Sequence, residues 1–403
     1  MEKWLDRMEM DYDLEGYTPV EPYIERSYNP VEGTVYTLTV DWLPPGTVER
    51  EEEGHNPAGT IVLTYNITHQ CYIRMIVVGD EGSDKLVFKT EQELDDWLVN
   101  QTRMTPGVNL IKKKTNHGVS YSAVTYGIRL SPGGSIGIEL DEQHRLKMYS
   151  KYGVFPTDEW IHQETFTITQ PDVMSIARNQ VKVYETPFIF DGKPFYAFEE
   201  IYVKNNDLNT LPFELDERNQ WYNQHSSLLE WDHAIKREWS FKPPFTHHSL
   251  SKEQLEKHEP HPAARPWTEE EVSLIKEAVT SYLQSEYPKE SGLWQLRSFF
   301  REDHYIEATI EHDGDKIKLF LDESYQLINV MDKQKMLAHM MPDQKQVESS
   351  ERISPEQAAR DIFSACTMTP VYVFDPECGK YVLCCKLDSD VVLDARTGCK
   401  IDL

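Results

Sequence analysis

The stretch VVLDARTGCKIDL, residues 391–403, has two counterparts in the chain: IGIELDEQHRLKMY at residues 136–149 and IKLFLDESYQLINV at residues 317–330. In each, apolar residues alternate up to a leucine, an aspartate follows, and the apolar register resumes six residues after the leucine. Alternation with a period of two is typical of a strand that buries one face. An aspartate can accept hydrogen bonds from the backbone of its own turn. The sequence therefore predicts three hairpins that each close a sheet, with turns at Asp141, Asp322 and Asp394.

A helix with capping residues at its start precedes each of these hairpins. The capping pairs are Thr90 with Glu93, Thr268 with Glu271, and Ser354 with Gln357. A hydroxyl followed three residues later by Glu or Gln satisfies backbone N–H groups at a helix start. Alternating segments and turn residues follow each helix. The predicted fold class is therefore α+β, with repeated units of one helix plus an antiparallel β-meander of about four strands.

This pattern also predicts the domain organisation. A helix at Thr169–Gln180 and a hairpin about Asp191–Gly192 indicate a damaged copy of the unit. Residues between Phe241 and Trp267 are rich in proline and histidine, which favours either an interdomain linker or a connection that follows the surface. The predicted segments are an N-terminal strand-rich region at 1–89, repeat unit 1 at 90–160, a degenerate unit at 161–240, a linker at 241–267, and further units at 268–345 and 346–403.

The charge of the chain restricts its partners. It has 41 Lys and Arg against 68 Asp and Glu, a formal net charge of −27. Such a surface repels nucleic acid and anionic lipid and attracts basic proteins or peptides. The run Lys112–Lys114 is interpreted as the solvated end of a strand. No segment approaches the roughly 18 apolar residues of a membrane span, and no export signal is recognised, so we expect no membrane span and a cytoplasmic location.

The six cysteines do not have the spacing of a metal or redox site. Five of them lie between Cys366 and Cys399, and no C-x-x-C pair is present. We interpret most of them as small buried apolar residues in a reducing compartment. A disulfide such as Cys378 to Cys384 is the alternative.

Two patterns could mark chemistry. Gly133–Gly137 matches G-x-S-x-G, but a nucleophile elbow needs a helix after the serine, and this segment predicts a hairpin with Ser135 in its turn. His258 and His261 are three residues apart, near His247 and His248, but Pro260 and Pro262 disfavour the helix that would aim both at one metal. We find no P-loop and no dinucleotide fingerprint. The sequence therefore predicts no catalytic, cofactor-binding or metal-ligating residue.

The last unit resembles a PepSY-type domain. The matching residues are Ala358 and Ala359 in the helix and Asp394, Ala395, Thr397 and Gly398 in the final turn. The whole chain is similar to the bacterial YcdB/YcdC repeat proteins. The resemblance implies a helix on an antiparallel sheet, cystatin-like in general shape. Such domains restrain metallopeptidases as inhibitory pro-regions or occur in envelope and sensor proteins, so the resemblance implies a protein partner. It implies no catalytic residue.

The function expected from these observations is the non-enzymatic binding of a protein or peptide partner, as a peptidase-restraining or regulatory module. An open meander leaves edge strands that can pair with an extended chain, so we expect docking at strand 316–321 or strand 380–387. One alternative is a structural or assembly protein of a bacterial cell or spore. Another is an enzyme whose site carries no known motif. The oligomeric state is not predicted.

Overall fold

The computed structural model of the 403-residue chain describes residues 1–29, 31–47, 56–184, 190–213, 227–242, 249–312, 315–332, 335–336 and 352–401. Strand accounts for 41% and helix for 22%, so the predicted α+β class is confirmed. None of the described helices is long and apolar enough to cross a membrane. The chain forms two compact units. The first comprises Met1–Ile161, His247–His261 and Val371–Phe374, and the second comprises His162–Thr246, Pro262–Pro370 and Asp375–Leu403.

The helices in these ranges are α1 (Glu2–Tyr12), α2 (Glu91–Thr102), α3 (Gln170–Asn179), α4 (Lys252–Glu256), α5 (Glu269–Glu286) and α6 (Pro355–Phe363). The first ten strands are β1 (Thr18–Asn29), β2 (Gly33–Leu43), β3 (Ile61–Asn66), β4 (Cys71–Val77), β5 (Ser83–Val87), β6 (Leu110–Thr115), β7 (Gly118–Thr125), β8 (Ile128–Ser131), β9 (Ser135–Leu140) and β10 (Arg145–Tyr152). The remaining strands are β11 (Val181–Tyr184), β12 (Phe195–Phe198), β13 (Ile201–Lys204), β14 (Thr210–Pro212), β15 (Ser227–Leu228), β16 (Gln295–Arg301), β17 (Ile306–His312), β18 (Asp315–Leu321), β19 (Leu327–Asp332), β20 (Thr367–Asp375), β21 (Lys380–Asp388), β22 (Val392–Asp394) and β23 (Lys400–Ile401).

The first unit is organised by one sheet, with strand order β1-β2-β3-β4-β10-β9-β7-β8 and with β5 beside β10 and β6 beside β7. These neighbours are antiparallel, whereas Val371–Val373 of β20 pair in parallel with Arg129–Ser131 of β8. Alternate residues along the strands fill a single core, whose largest fully buried side chains include Trp42, Tyr65, Tyr121 and Tyr149. Helix α2 joins this core through Leu94 and Leu98, which lie one turn apart on the same face.

Residues 249–261, within the segment predicted as a linker, lie against the first unit. We call them the strap. The Leu250 N–H donates to the Ile24 carbonyl oxygen of β1 at 2.8 Å, and the Ile24 N–H donates to Ser249 Oγ at 3.0 Å. Leu255, on α4, is 5% exposed and belongs to the core. The strap therefore packs on the first unit through main-chain hydrogen bonds and one buried leucine.

In the second unit, α5 packs on a sheet with the order β15-β16-β17-β18-β19. The capping box predicted at its start is confirmed, because the Glu271 N–H donates to Thr268 Oγ1 at 3.3 Å and the Thr268 N–H donates to the Glu271 carboxylate at 2.9 Å. At the starts of α2 and α6 one of the two capping hydrogen bonds is present. The Thr90 hydroxyl accepts from the Glu93 N–H, and the Ser354 hydroxyl accepts from the Gln357 N–H. Strands β16 to β19 are consecutive and antiparallel. The buried stripe that α5 contributes is Ile275, Val279 and Leu283.

Glu271 also centres an ion-pair network that the capping pattern does not reveal. Its carboxylate accepts hydrogen bonds from Arg265, from Arg301 at 3.0 Å and from the Tyr325 hydroxyl at 3.0 Å. The Arg301 guanidinium lies over the Trp267 ring, 3.6 Å from its centroid. Burial alone would raise the pKa of Glu271, but the hydrogen bonds it accepts outweigh burial and lower the pKa from 4.5 to about 2. The network ties the chain before α5 to β16.

The C-terminal strands are divided between sheets, which the sequence did not predict. Strands β20 to β23 were expected to form one meander, but β22 and β23 join β11 and β12 in the order β11-β12-β22-β23. In this sheet Phe195 pairs with Asp394 and Tyr196 pairs with Leu393. The single-meander prediction is wrong because the aromatic strand β12 offers β22 a partner that buries Leu393 to 1% exposure. Elsewhere in the unit, β21 pairs with β13 and β13 with β14.

Two helices pack on this composite sheet. Helix α6 contacts β11, β12 and β22, and α3 contacts α6 and β11. The helix predicted at Thr169–Gln180 is therefore confirmed as α3, whose buried residues are Val173 and Ala177. The hairpin predicted about Asp191–Gly192 falls partly outside the described residues, and Phe190–Gly192 form a 3₁₀ turn.

The three aspartate turns have the geometry that the sequence predicts. Asp141 Oδ1 accepts from the N–H groups two and four residues further on, each at 2.9 Å, and Asp322 Oδ1 does the same at the same distances. The third residue after each aspartate has a positive φ, 61° and 60°. The turn of Asp394 is one residue longer, and Gly398 supplies its left-handed position with a φ of 72°. The turn prediction is confirmed.

Candidate functional site

The two strands expected to receive a polypeptide lie inside their sheets. Strand β18, which contains residues 316–321, pairs with β17 on one side and β19 on the other. Strand β21, which contains residues 380–387, is also interior in its sheet. Their main-chain groups already have partners, so neither strand can accept a further one. The prediction of docking there is wrong, because alternation in the sequence marks a strand without showing which strands flank it.

Two outer strands are covered by other parts of this chain. The strap covers β1 through the hydrogen bonds at Ile24. On the outer side of β19, the Lys242 N–H donates to the Ile328 carbonyl oxygen at 2.8 Å, and the Asn329 side-chain amide donates to the Lys242 carbonyl oxygen at 2.7 Å. Covering an outer strand in this way blocks edge-to-edge association.

Strand β11 has a different environment. It is the outer strand of its sheet, and within the described ranges no strand pairs with its other side. Val183 is 40% exposed and Tyr184 is 37% exposed. The Tyr184 ring stacks on Phe195, its cross-strand neighbour, at 5.5 Å, and Phe190 lies edge-on to Phe195 at 5.0 Å. We call Val181–Tyr184 with these two phenylalanines the β11 edge. It combines an outer strand with an apolar and aromatic surface, as strand-addition sites do.

An open cleft of about 850 Å³ lies in the first unit. We call it the amino-terminal cleft. It is bordered by α1, by β1 and β2, by the turn between β3 and β4, by the C-terminal end of α2 and by the end of β10. The side chains with hydrogen-bonding or charged groups that line it include Arg7, Asp11, His69, Gln70, Asn100, Gln101, Arg103 and Lys151.

The acids of the amino-terminal cleft have partners within it. The Asp11 carboxylate accepts hydrogen bonds from Arg7 Nε at 3.3 Å and from the Tyr72 hydroxyl at 2.8 Å. Burial, and then the hydrogen bond to Asp11, raise the pKa of Tyr72, so its hydroxyl stays protonated and remains a donor. Glu32 Oε1 lies 3.5 Å from His69 Nε2. Both carboxylates of the cleft therefore have a side-chain contact within it, and Asp11 has an arginine as its counter-ion.

Two cations of the cleft are not matched in this way. The Lys151 ammonium lies 3.6 Å from Cys71 Sγ and 4.9 Å from the centroid of the Phe155 ring. Among the residues that the structure describes, neither Lys151 nor Arg103 forms an ion pair with a carboxylate. The cleft therefore has an excess of positive charge although the chain as a whole has a net charge of −27. An arrangement of this kind can hold an anion.

Ser135, His258 and His261, which the sequence singled out for chemistry, are not among the residues that line the amino-terminal cleft. Ser135 is the first residue of β9 rather than part of the preceding turn, and the strand that follows it replaces the helix of a nucleophile elbow. His261 is 2% exposed and stacks on Tyr28, while His258 faces Tyr36. His247 and His248 lie outside the described residues. In the described part of the chain, no group of three or more His, Cys, Asp or Glu is arranged to hold a metal.

All six cysteines are described, and none forms a disulfide, so the alternative pairing of Cys378 with Cys384 is not formed. Cys384 and Cys385 are fully buried, as expected for small apolar residues, whereas Cys378 and Cys399 are exposed. Burial raises the pKa of the Cys385 thiol to about 11. At neutral pH this thiol is protonated and unreactive.

Comparisons with known proteins give little further information. No family model matches the chain, and no curated protein matches it. A solved structure, the Bacillus megaterium YpeB C-terminal domain, aligns with 82% of this chain and 97% of its own, at 10% sequence identity and a TM-score of 0.26. A likeness at this level carries no argument about activity or partners. The similarity to YcdB/YcdC repeat proteins stays a prediction.

Sequence reasoning missed both the β11 edge and the amino-terminal cleft. The β11 edge had a usable signal, since Val-Lys-Val-Tyr precedes the aromatic segment that becomes β12. The cleft had none, because its side chains come from several elements that are distant in sequence. No local pattern brings Arg7, Arg103 and Lys151 together.

Proposed function

We propose that this protein binds an extended polypeptide without catalysing a reaction, and that the partner adds as a strand to the β11 edge. The observation that carries the proposal is an outer strand with no described partner on one side, beside exposed apolar and aromatic side chains. Main-chain hydrogen bonds would provide the affinity. Side chains at alternate positions of the partner would meet Val183 on one face and Tyr184 on the other, and so would provide the specificity.

The way this chain covers two of its other outer strands supports the proposal. At β1 and β19 its own segments supply the main-chain partners. The proposed docking would use the same main-chain hydrogen bonds, but with a segment of another polypeptide in place of a segment of this chain. The net charge of −27 adds a preference for a basic partner, which should weaken as salt is added.

The proposal extends to the role and relationships of the protein. We assign it a regulatory role, with restraint of a peptidase as the specific form. We also interpret the segments α2–β10 and α5–β19, each a helix followed by antiparallel strands, as copies of one PepSY-like unit, as in YcdB/YcdC-type repeat proteins. Buried cysteines without disulfides fit a reducing compartment such as the cytoplasm.

A second candidate is a structural or assembly protein. The covered outer strands at β1 and β19 favour it, because a scaffold must prevent uncontrolled pairing of its edges. The two candidates differ at β11, which a scaffold would use for self-association or leave unoccupied.

A phage-displayed library of random heptapeptides, selected on the full chain, tests the proposal. We expect enriched peptides with apolar residues at alternate positions. Their binding should fall at least about tenfold in Val183→Lys, because a charge on an edge strand opposes pairing. Val87→Lys is the matched control, since Val87 is also a strand valine with 40% exposure. Failure to enrich peptides, or equal binding by both variants, would overturn the proposal and leave the scaffold.

A further inference from the structure

The charges of the amino-terminal cleft do not balance. Arg7 has Asp11 as its counter-ion, and Glu32 lies beside His69. Lys151 and Arg103 have no described carboxylate. Several cations elsewhere in this acidic chain lie directly against acids: Lys112 with Asp95 at 2.9 Å, Arg145 with Asp141 at 2.7 Å and Lys204 with Asp375 at 2.7 Å. Lys151 and Arg103 thus bring two cations without a described carboxylate partner to one concavity.

The backbone at the cleft supports a role for these side chains. Arg103 follows α2 at a position with a φ of 58°, and Gln70 occupies the turn between β3 and β4 with a φ of 54°. Glycine or asparagine is the usual residue at such left-handed positions. Attraction between a cation and the C-terminus of a helix explains why an arginine occupies position 103. It does not explain why a glutamine occupies the left-handed position at residue 70. Both strained positions present long hydrogen-bonding side chains to the same cleft.

Arg7 is held in position independently of any ligand. Its Nη1 donates to the Tyr65 hydroxyl at 2.8 Å, while its Nε donates to Asp11. Tyr72 donates to the same carboxylate. A guanidinium fixed in this way keeps its remaining donors aligned, which reduces the entropy lost when an anion binds.

From these features we infer that the amino-terminal cleft is a binding site for a small polar molecule with two or more anionic oxygen groups. Guanidinium and ammonium groups recognise carboxylate and phosphate oxygens, and the amides of Gln70, Asn100 and Gln101 can hydrogen-bond to the neutral polar parts of such a molecule. A volume of about 850 Å³ exceeds what a single inorganic ion fills and suits an organic anion. The site is distinct from the β11 edge and does not depend on the polypeptide proposal.

Titration calorimetry on the full chain at low ionic strength tests the inference. Citrate is the carboxylate probe, pyrophosphate is the phosphate probe, and acetate is the monovalent control. We expect one of the two polyvalent probes to bind saturably with a stoichiometry of one, and the probe that binds identifies the anionic group. Acetate should show no saturation in the same range.

Three variants locate the site. Lys151→Gln and Arg103→Asn should each weaken binding about tenfold, the usual loss for one charge-assisted hydrogen bond. Asparagine tolerates the left-handed position at 103, so this variant keeps the helix end intact. Lys147→Gln is the control, because Lys147 lies on the same strand, is also half-buried and carries the same charge, but lines a different, acid-rich surface.

Circular dichroism shows whether each variant is folded. If Lys151→Gln does not fold, the affinity of Arg103→Asn alone tests the inference. An unchanged affinity in both cleft variants would overturn the inference. So would an equal loss in Lys147→Gln, which would show a non-specific effect of total charge. The absence of saturable binding by both citrate and pyrophosphate would overturn it as well.

Discussion

Replacing Glu271 by glutamine removes one charge from the network at the start of α5 and changes little else. A glutamine can still accept the Thr268 N–H through its amide oxygen, so the capping geometry is retained. The Arg301 side chain, 9% exposed, loses its counter-ion. Removing one partner of a buried ion pair is more destabilising than replacing both partners by apolar residues, because the remaining charge stays desolvated and unpaired.

The expected magnitude follows from the pKa of Glu271, which falls from 4.5 to about 2 on folding. Each unit corresponds to about 1.4 kcal/mol, so the full shift gives about 3 kcal/mol. Glutamine keeps part of the hydrogen bonding, and the Arg265 side chain is 57% exposed, so its charge is screened by solvent. We therefore expect Glu271→Gln to lower the free energy of unfolding of the second unit by about 2 kcal/mol at pH 7.

The pH dependence has a definite sign. The folded pKa of Glu271 lies below the unfolded value, so the charged form stabilises the folded unit above pH 4.5, and this contribution is lost as the pH falls towards about 2. The difference between wild type and variant should therefore shrink over this interval. Urea unfolding followed by tryptophan fluorescence measures it, because Trp267 and Trp294 lie in the same core.

Glu277→Gln is the matched control, since Glu277 is exposed on the same helix, and we expect a change within about 0.5 kcal/mol. Equal free energies of unfolding for the two variants at pH 7 would refute the reasoning. A difference that is as large at pH 3 as at pH 7 would show that packing, and not the charge of Glu271, is responsible.

Two further predictions address the composite sheet and the serine motif. Leu393→Ala should cost about 2–5 kcal/mol, because a fully buried leucine is truncated. Hydrogen exchange should increase in β12 as well as in β22, and unchanged protection of β12 would contradict the pairing of Tyr196 with Leu393. Ser135→Ala should leave the fold intact and change the free energy of unfolding by no more than about 0.5 kcal/mol. An esterase screen should find the same result for both proteins, and hydrolysis by the wild type that disappears in the variant would argue for an enzyme.

Features of the fold that depend on a few neighbouring residues could be predicted from the sequence. The capping contact between Thr268 and Glu271 spans three residues, and the hydrogen bonds of Asp322 span four. Such contacts form within a single turn of chain, so the residue types and their spacing almost determine them. Strand positions followed from alternation for the same reason.

Features that join distant segments could not be predicted in this way. Arg301 reaches Glu271 from a strand 30 residues further on, and nothing in the capping pattern requires an arginine there. The pairing of β22 with β12, in place of a continued meander, depends on which of several apolar strands buries Leu393 best. The amino-terminal cleft is harder still, because its charge excess depends on which acidic and basic side chains the fold brings together there.

The composite sheet has a consequence for the order in which the protein is made. Strand β12 meets β22 only when Phe195 can pair with Asp394, about 200 residues later. At a synthesis rate of roughly 5–20 residues per second, β12 waits on the order of 10–40 seconds for its partner. Strand β8 has a still longer wait for its parallel partner at Val371–Val373. Both units therefore need residues from the last tenth of the chain. During translation the aromatic strand β12 is exposed before its sheet can form, and chaperones can bind it in that interval.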